Sequence, residues 1–344
     1  MAFKEIMHFG EPLTIHKARI TPDFNSKKVL VSDSWDYVNL WLKRNGASKA
    51  CFFWGQAENF YKASKLLDKT ASPLTAYYCF LNATKALLIS KGVQFGEAHG
   101  VSGFTLKGKT SLSNEKVKIS TGGVMGALCK YLGDPQGVYI FSLKDLLYNL
   151  PYIHRAYSLS YKSSAELFIR IENPRIVKSI TTSEAWFVAD IDKRHASQTT
   201  INKLPNDLQE EKSVNSGASI RLKQRFKWKA HQKKASLLRY QTYHKKIRKH
   251  IHSISGPKRL WYVKRDKAVN ISVIDHSSLS IAFAAMHKLS ELARYTPDIL
   301  SRHFDTQQNW LISEFIENSL IQYIDEIASE ITSQEFILPG RTIE

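Results

Sequence analysis

The chain has 344 residues, of which 43% are apolar and 23% charged, and a formal net charge of +18. That balance supports a sizeable core and excludes a chain disordered throughout, while no apolar run reaches the length that crosses a bilayer. So large a positive charge calls for an acidic partner, nucleic acid before any other.

Residues 1–30 read as irregular, broken by Pro12 and Pro22. Their opening, MAFKEIMHFG, lacks the apolar core of a signal peptide, so a cytoplasmic location is expected. SDSWDYVNLWLKRN predicts a helix capped by Ser32 or Asp33, with Trp35, Val38, Trp41 and Leu42 near helical spacing. AENFYKASKLLDK predicts a second, with Phe60, Ser64 and Leu67 on one face. SPLTAYYCFLNATKALLISKG predicts a third, with Ser72 as cap, Pro73 in the first turn and Gly92 at the end. It is apolar on nearly every side, as a central core helix is. Cys79 lies inside it. With Cys51 and Cys129 it makes three widely spaced cysteines, which read as buried thiols in a reducing compartment.

Beyond Gly92 the texture turns to Gly, Ser and alternating residues. Short strands are predicted at 104–106 and 117–119, and STGGVMG reads as a turn. FSLKDLLYNLPYIHRAY returns to helix, stopped near Pro151, and ELFIRIENPRIVKSITTSEAWFVADID reads as two or three strands. Residues 193–219 are polar and read as a loop or insertion. After a basic block, RLWYVKRDKAVNISVID predicts a strand or hairpin. SLSIAFAAMHKLSELARY and TQQNWLISEFIENSLIQYIDEIASEIT predict long helices separated by Pro297. The expected fold is α+β and predominantly helical, the N- and C-terminal helices forming one bundle. Central short strands and a basic strand–helix insertion elaborate it. The expected divisions are an irregular 1–30, a helical core with small β elaboration at 31–192, a polar loop and basic segment at 193–257, and a strand with closing helices at 258–344.

The charge is concentrated. Residues 221–267 hold seventeen Lys or Arg and a single acid, Asp266, a net +16 out of the chain's +18. In RLKQRFKWK the bases Arg221, Lys223, Arg225, Lys227 and Lys229 alternate with Leu222, Phe226 and Trp228, so a strand there would show a basic face and an apolar back. From Lys233 to Ile251 the spacing fits a helix with Leu237, Leu238 and Ile247 as its apolar contacts. Lys233, Lys234, Arg239, Lys245, Lys246, Arg248 and Lys249 extend the positive surface along it. Such a surface binds phosphates by releasing counterions, and Trp228, Tyr240 and Tyr243, where exposed, would stack on bases.

Arg239 and His244 have the R-x4-H spacing of a class of small helical ribonucleases, in which such a pair holds the scissile phosphate and moves a proton. The spacing alone is weak. Fifteen Arg and twelve His give about 1.6 R-x4-6-H pairs by chance, and two occur, Arg225–His231 and Arg239–His244. His250 and His252 have no Cys or acid nearby at ligand spacing, so neither a metal nor a cofactor is expected.

Three stretches together resemble the YaaC-like family of bacterial proteins: FYKASKLLDKTASPLTAYYCFLNATKALLISKG with HGVSG (60–92 and 99–103), SLKDLLYNLPYIHRAY (142–157), and MHKLSELARYTPD with WLISEFIEN (286–298 and 310–318). The resemblance runs over roughly residues 35 to 330 and implies no settled activity. It makes Tyr77, Tyr78, Asn82, Lys85, His99, Glu291, Arg294 and Tyr295 the candidates for whatever the common core does. For the tyrosines the ordinary alternative is packing with a satisfied hydroxyl. PLTAYYCFLNATKALL is also similar to the second helix of HEPN-type bundles, which implies RNA cleavage, toxin action or antiphage defence. Residues 193–250 look like a variable insertion, which sets the R-x4-H pair outside the best-matching helices.

The leading expectation is a nucleic-acid-binding protein, for DNA or RNA, that uses the 221–267 surface and serves with a protein partner in a bacterial antiphage defence complex, away from membranes. Two others stand beside it. One is a HEPN-like, metal-independent ribonuclease, which needs Arg239 and His244 in one cleft across a homodimer interface. The other is a scaffold whose basic surface holds an acidic protein.

Overall fold

The computed structural model describes residues 2–212, 218–256, 258–266 and 273–337. Lys267, the last base of the charged segment, and residues 267–272 of the expected hairpin lie outside the described residues. The chain divides into two compact units, one built from residues 2–27 and 166–266, the other from 28–165 and 273–337.

In the first unit the alternating stretch after Glu166 forms two long antiparallel strands, Phe168–Ser179 and Glu184–Ile191. Their register shifts between Glu172 and Arg175, where Asn173 has φ 46° and Pro174 cannot donate to a ladder. Leu260–Lys264 and Ile251–Ile254 extend the sheet on one side, Ser219–Leu222 and Leu208–Glu210 on the other. Phe3–Glu5 pairs with Phe168–Ser179, and Phe226–Lys227 with Glu184–Ile191, completing eight antiparallel strands that curl into a half-barrel. The period of two sorts the side chains. Ile169, Ile171, Ile176, Phe187, Ala189 and Ile191 enter one core with Tyr240, Tyr243 and Ile247 of the helix Lys233–His250. Val177, Trp186 and Val188 meet Phe3 in a separate cluster. The amino-terminal stretch is not irregular: Ile6, Leu13 and Ile15 belong to the main core, and Leu13 O accepts from Ile176 N at 3.0 Å.

In the second unit the helix Ser72–Ser90 packs against Ser48–Leu66, Ser278–Tyr295 and Asn309–Thr332. It is central, as its all-round apolar sequence predicts. Phe80 stacks on Tyr323 at 3.9 Å, and the Tyr323 and Thr84 hydroxyls lie 2.6 Å apart. Asp33 caps Ser34–Arg44 by accepting from Trp35 N at 2.7 Å. Ser72 is no cap; it lies inside its helix, and its hydroxyl lies 2.8 Å from that of Ser64. A three-stranded antiparallel sheet, Val101–Thr105, Glu115–Ile119 and Tyr139–Ser142, precedes the short helices Leu143–Tyr148 and His154–Ser160. STGGVMG, expected as a turn, opens the helix Gly123–Leu132. Pro297 starts a further helix, Pro297–Phe304.

The predominantly helical expectation is therefore corrected to a mixed fold, 47% helical and 19% strand. The alternating and polar stretches between 166 and 227 are not trimmings on helices. They make a sheet with its own core, completed by the first fifteen residues. Among the described residues no helix is long and apolar enough to cross a membrane.

Candidate functional site

The helix Lys233–His250 contains no acid. One side, with Ser236, Tyr240, Tyr243, His244, Ile247 and Arg248, is buried under the sheet. The other exposes Lys233, Lys234, Arg239, Lys245, Lys246 and Lys249 along about 24 Å of helix. Lys223 and Lys227, from the preceding segment, are exposed as well. Lys246 donates to Gln224 Oε1 at 2.7 Å, and Lys233 Nζ lies 4.5 Å from the Phe9 ring centre. Among the described residues Lys223, Lys227, Lys234, Arg239 and Lys245 make no ion pair. Lys245 and Lys249 are like charges one turn apart, and Lys233 and Lys234 sit at the positive end of the helix dipole. Both arrangements cost stability, and the helix holds no acid to neutralise them.

Two other bases of the segment, Arg221 and Arg225, are occupied. Arg221 Nε is 3.4 Å from Glu211 Oε2, and Arg225 pairs with Glu184 at 2.5 Å. Both guanidinium groups lie over Trp186, at 5.9 and 4.9 Å from its ring. Lys229 is half-buried. The alternation expected for RLKQRFKWK is visible, with Leu222 and Trp228 buried, but two of its arginines face acids. Arg248, expected on the phosphate-binding face, is 2% exposed; it donates to the Ile251 and Lys17 carbonyls and lies 5.0 Å over the Trp261 ring.

Arg239 and His244 do not share a site. Five residues along a helix turn about 140°, which leaves Arg239 in solvent and His244 fully buried. His244 Nε2 lies 3.0 Å from the His16 amide and accepts from it, fixing the amino-terminal strand region. The tyrosines offered for base stacking are also inside. Tyr240 donates to Thr14 O at 2.9 Å; Tyr243 donates to Gln224 O and accepts from Phe187 N, both at 3.0 Å. Trp228 is 5% exposed.

Several of the residues picked out by the family resemblance do converge, in the second unit. Tyr77 Oη lies 2.9 Å from His99 Nδ1, and both rings meet His287, Tyr77 at 4.9 Å and His99 at 6.4 Å between centres. Glu291 accepts from Gly103 N at 3.0 Å and lies 3.9 Å from His287 Nδ1. Burial, and then the charges of Lys85 and Arg294, lower the His99 pKa; Lys85 itself lies over Phe53 at 5.3 Å. Tyr78 stacks on Phe60, Asn82 donates back to Tyr78 O within its helix, and Tyr295 stands 67% exposed beneath Arg294. His287, the hub, was not singled out in the sequence, although its i, i+4 spacing to Glu291 was a usable signal.

Behind this cluster lies a buried ionic group that the sequence did not suggest. Glu115, 1% exposed, accepts from Thr105 at 2.6 Å, lies 3.1 Å from His303 Nε2, and pairs with Lys288 at 3.2 Å. Burial pushes its carboxyl up, but His303, Thr105 and Lys288 outweigh that and hold it below the usual range. His287 moves the other way for a base: burial, then His99 and Lys288, push it down to about 3. Below its unfolded value near 6.5 the unfolded chain binds a proton that the native state does not. Stability is therefore lost from pH 6.5 down to about 3, on the order of 3 kcal/mol by pH 4. Glu115 adds its loss only below the ordinary carboxylate range. Urea unfolding at pH 7, 5.5 and 4 should show this decline, and His287→Gln should flatten it; equal declines in both proteins would contradict the assignment.

A family model described as YaaC-like Protein matches residues 15–331. No curated protein and no solved structure matches the chain. The likeness to HEPN-type bundles finds no support in this match.

Proposed function

The chain belongs to the YaaC-like protein family, and since that membership fixes no chemistry we propose that this member binds nucleic acid through the exposed bases of residues 223–249. The observation that carries the reading is the acid-free helix Lys233–His250, whose outward side holds Lys234, Arg239 and Lys245, which make no ion pair with a described acid. A polyanion would relieve the repulsion between those bases and neutralise the cations at the amino-terminal end of the helix. The bound groups are phosphates rather than bases, because the aromatic residues of this segment are buried in the core. The ribonuclease alternative lacks a joint site at Arg239 and His244. The antiphage setting rests on the HEPN-type resemblance alone, and the proposal does not include it.

About five phosphate contacts give a slope of roughly −3.5 to −4.5 in log affinity against log salt. Fluorescence anisotropy with labelled single-stranded RNA and duplex DNA should therefore show affinity falling about 100- to 1,000-fold between 50 and 200 mM salt. An affinity indifferent to salt, or one that the Lys234→Gln, Arg239→Gln, Lys245→Gln triple variant retains in full, would overturn the reading.

A further inference from the structure

We propose that the nucleic acid held by the basic helix is single-stranded, and that Phe9 is the platform on which one of its unpaired bases stacks. The inference rests on the reading of residues 223–249 as a phosphate-binding surface and adds a base contact from outside that segment.

Met7–His8 and Glu11–Pro12 pair as a hairpin with His8 opposite Glu11, so Phe9 and Gly10 form its two-residue turn. Both residues have positive φ, 52° and 82°, as a type I′ turn requires. Glycine adopts that conformation freely; for a residue as bulky as phenylalanine it is strained. Nor is the ring buried in exchange. Phe9 is 71% exposed and is the only exposed aromatic among the described residues of its unit. Trp228, Tyr240 and Tyr243 of the basic segment are all buried. Strain and exposure at one aromatic residue point to a contact outside the core. The platform is also fixed in place. Leu13 N donates to Ile6 O at 2.7 Å and Ile6 N to Ile176 O at 3.0 Å, tying the foot of the hairpin to the sheet. His8 is 7% exposed, and its ring meets that of Phe9 at 4.4 Å between centres.

The turn stands at the amino-terminal end of Lys233–His250, where Lys233 Nζ lies 4.5 Å from the Phe9 ring centre. Lys233 makes no ion pair among the described residues. Its ammonium is therefore free to leave the ring for the phosphate of the nucleotide whose base takes its place. Lys234 is next to it, and Arg239 and Lys245 lie about 9 and 18 Å further along the helix axis for the phosphates that follow. Two carboxylates belong to this end of the unit. Glu11 is exposed beside the turn, and Asp23, in the loop whose Phe24 and Asn25 meet His8, accepts from Asn25 N at 2.9 Å. Set against Lys233 and Lys234, they leave the turn close to neutral, which suits an uncharged base; the unbalanced positive charge resumes along the helix. A duplex keeps its bases stacked inside and offers Phe9 only sugar and phosphate, so the platform discriminates in favour of single strands.

The test is fluorescence anisotropy of the full chain with three labelled ligands: an oligothymidine of about twelve nucleotides, an abasic strand of the same length, and a duplex. The first two carry the same phosphates and differ only in their bases. The wild type is expected to bind oligothymidine about tenfold more tightly than the abasic strand. Phe9→Ala is expected to abolish that difference while leaving the abasic and duplex affinities, the salt slope and the melting temperature unchanged, and Phe9→Trp to keep it. Salt-dependent binding that does not distinguish oligothymidine from the abasic strand, or that Phe9→Ala leaves as it was, overturns the base platform and leaves the phosphate-binding reading standing. An equal loss on all three ligands in Phe9→Ala overturns it too, since a stacked base is not then what Phe9 holds. Failure of the wild type to bind any of the three overturns both.

Discussion

Arg248→Ala should destabilise the protein by about 3–4 kcal/mol, whereas Arg239→Ala on the same helix should cost less than about 0.5 kcal/mol. Both were drawn from the sequence as phosphate contacts, and only their surroundings differ. Arg248 is 2% exposed and ties together residues remote in sequence, donating to Lys17 O at 3.2 Å and to Ile251 O while covering Trp261. Truncation leaves those carbonyls without this donor and opens a void beneath the ring. Lysine should rescue little, since one ammonium cannot reproduce the planar fork and the stacked face. Arg239 touches solvent, so its loss should appear in binding: weaker affinity at low salt and a salt slope shallower by about 0.7–0.9. Thermal melts paired with anisotropy titrations separate the two. A stable Arg248→Ala protein with weakened binding would return Arg248 to the phosphate-contacting set.

Gly123→Ala should cost at least about 4 kcal/mol, against about 1 kcal/mol for Gly46→Ala. The two glycines have the same φ of 67°, so the intrinsic cost of placing alanine there is equal. What differs is the neighbourhood. A Cβ at Gly46 meets nothing within 4 Å, while one at Gly123 runs into the Ala98 carbonyl and the Gly100 amide. The chain must then part where the His99 loop crosses the start of Gly123–Leu132, and the 2.9 Å contact between His99 and Tyr77 goes with it. Melting curves of the two variants measure the difference directly. Equal losses would mean that the crossing yields without cost.

The long helices of the second unit were legible because propensity, spacing and end signals agree: Pro73 and Gly92 bracket Ser72–Ser90 as read. The basic helix was legible in extent but not in orientation. Hydropathy favours Leu238 as a contact, yet Leu238 is 60% exposed while Tyr240, Tyr243, His244 and Arg248 are buried. Those polar tips find backbone partners at residues 14, 16, 17, 187, 224 and 251, most of them far outside any local window. Of the residues that converge around His287, the resemblance supplied Tyr77, His99 and Glu291, and local reasoning supplied none. His287 and Glu115 look like ordinary members of a helix and a strand until the fold brings Tyr77 and His99 to the one and Lys288 and His303 to the other.

The half-barrel has an order-of-synthesis problem. Phe3–Glu5 must pair with residues 177–179, and Thr14 and His16 must reach Tyr240 and His244. At ribosomal rates of about 5–20 residues per second, the early segment waits roughly ten to fifty seconds for those partners. Meanwhile it presents Ile6, Leu13 and Ile15 without a core to enter. The second unit is interrupted by the first, so its closing helix, Asn309–Thr332, is made later still. Neither unit can finish on a nascent chain shorter than most of the protein. Both thus depend on long loop closures, and folding should be slow and largely post-translational. A chain stalled before residue 240 should expose its first fifteen residues to protease, and the released protein should shield them.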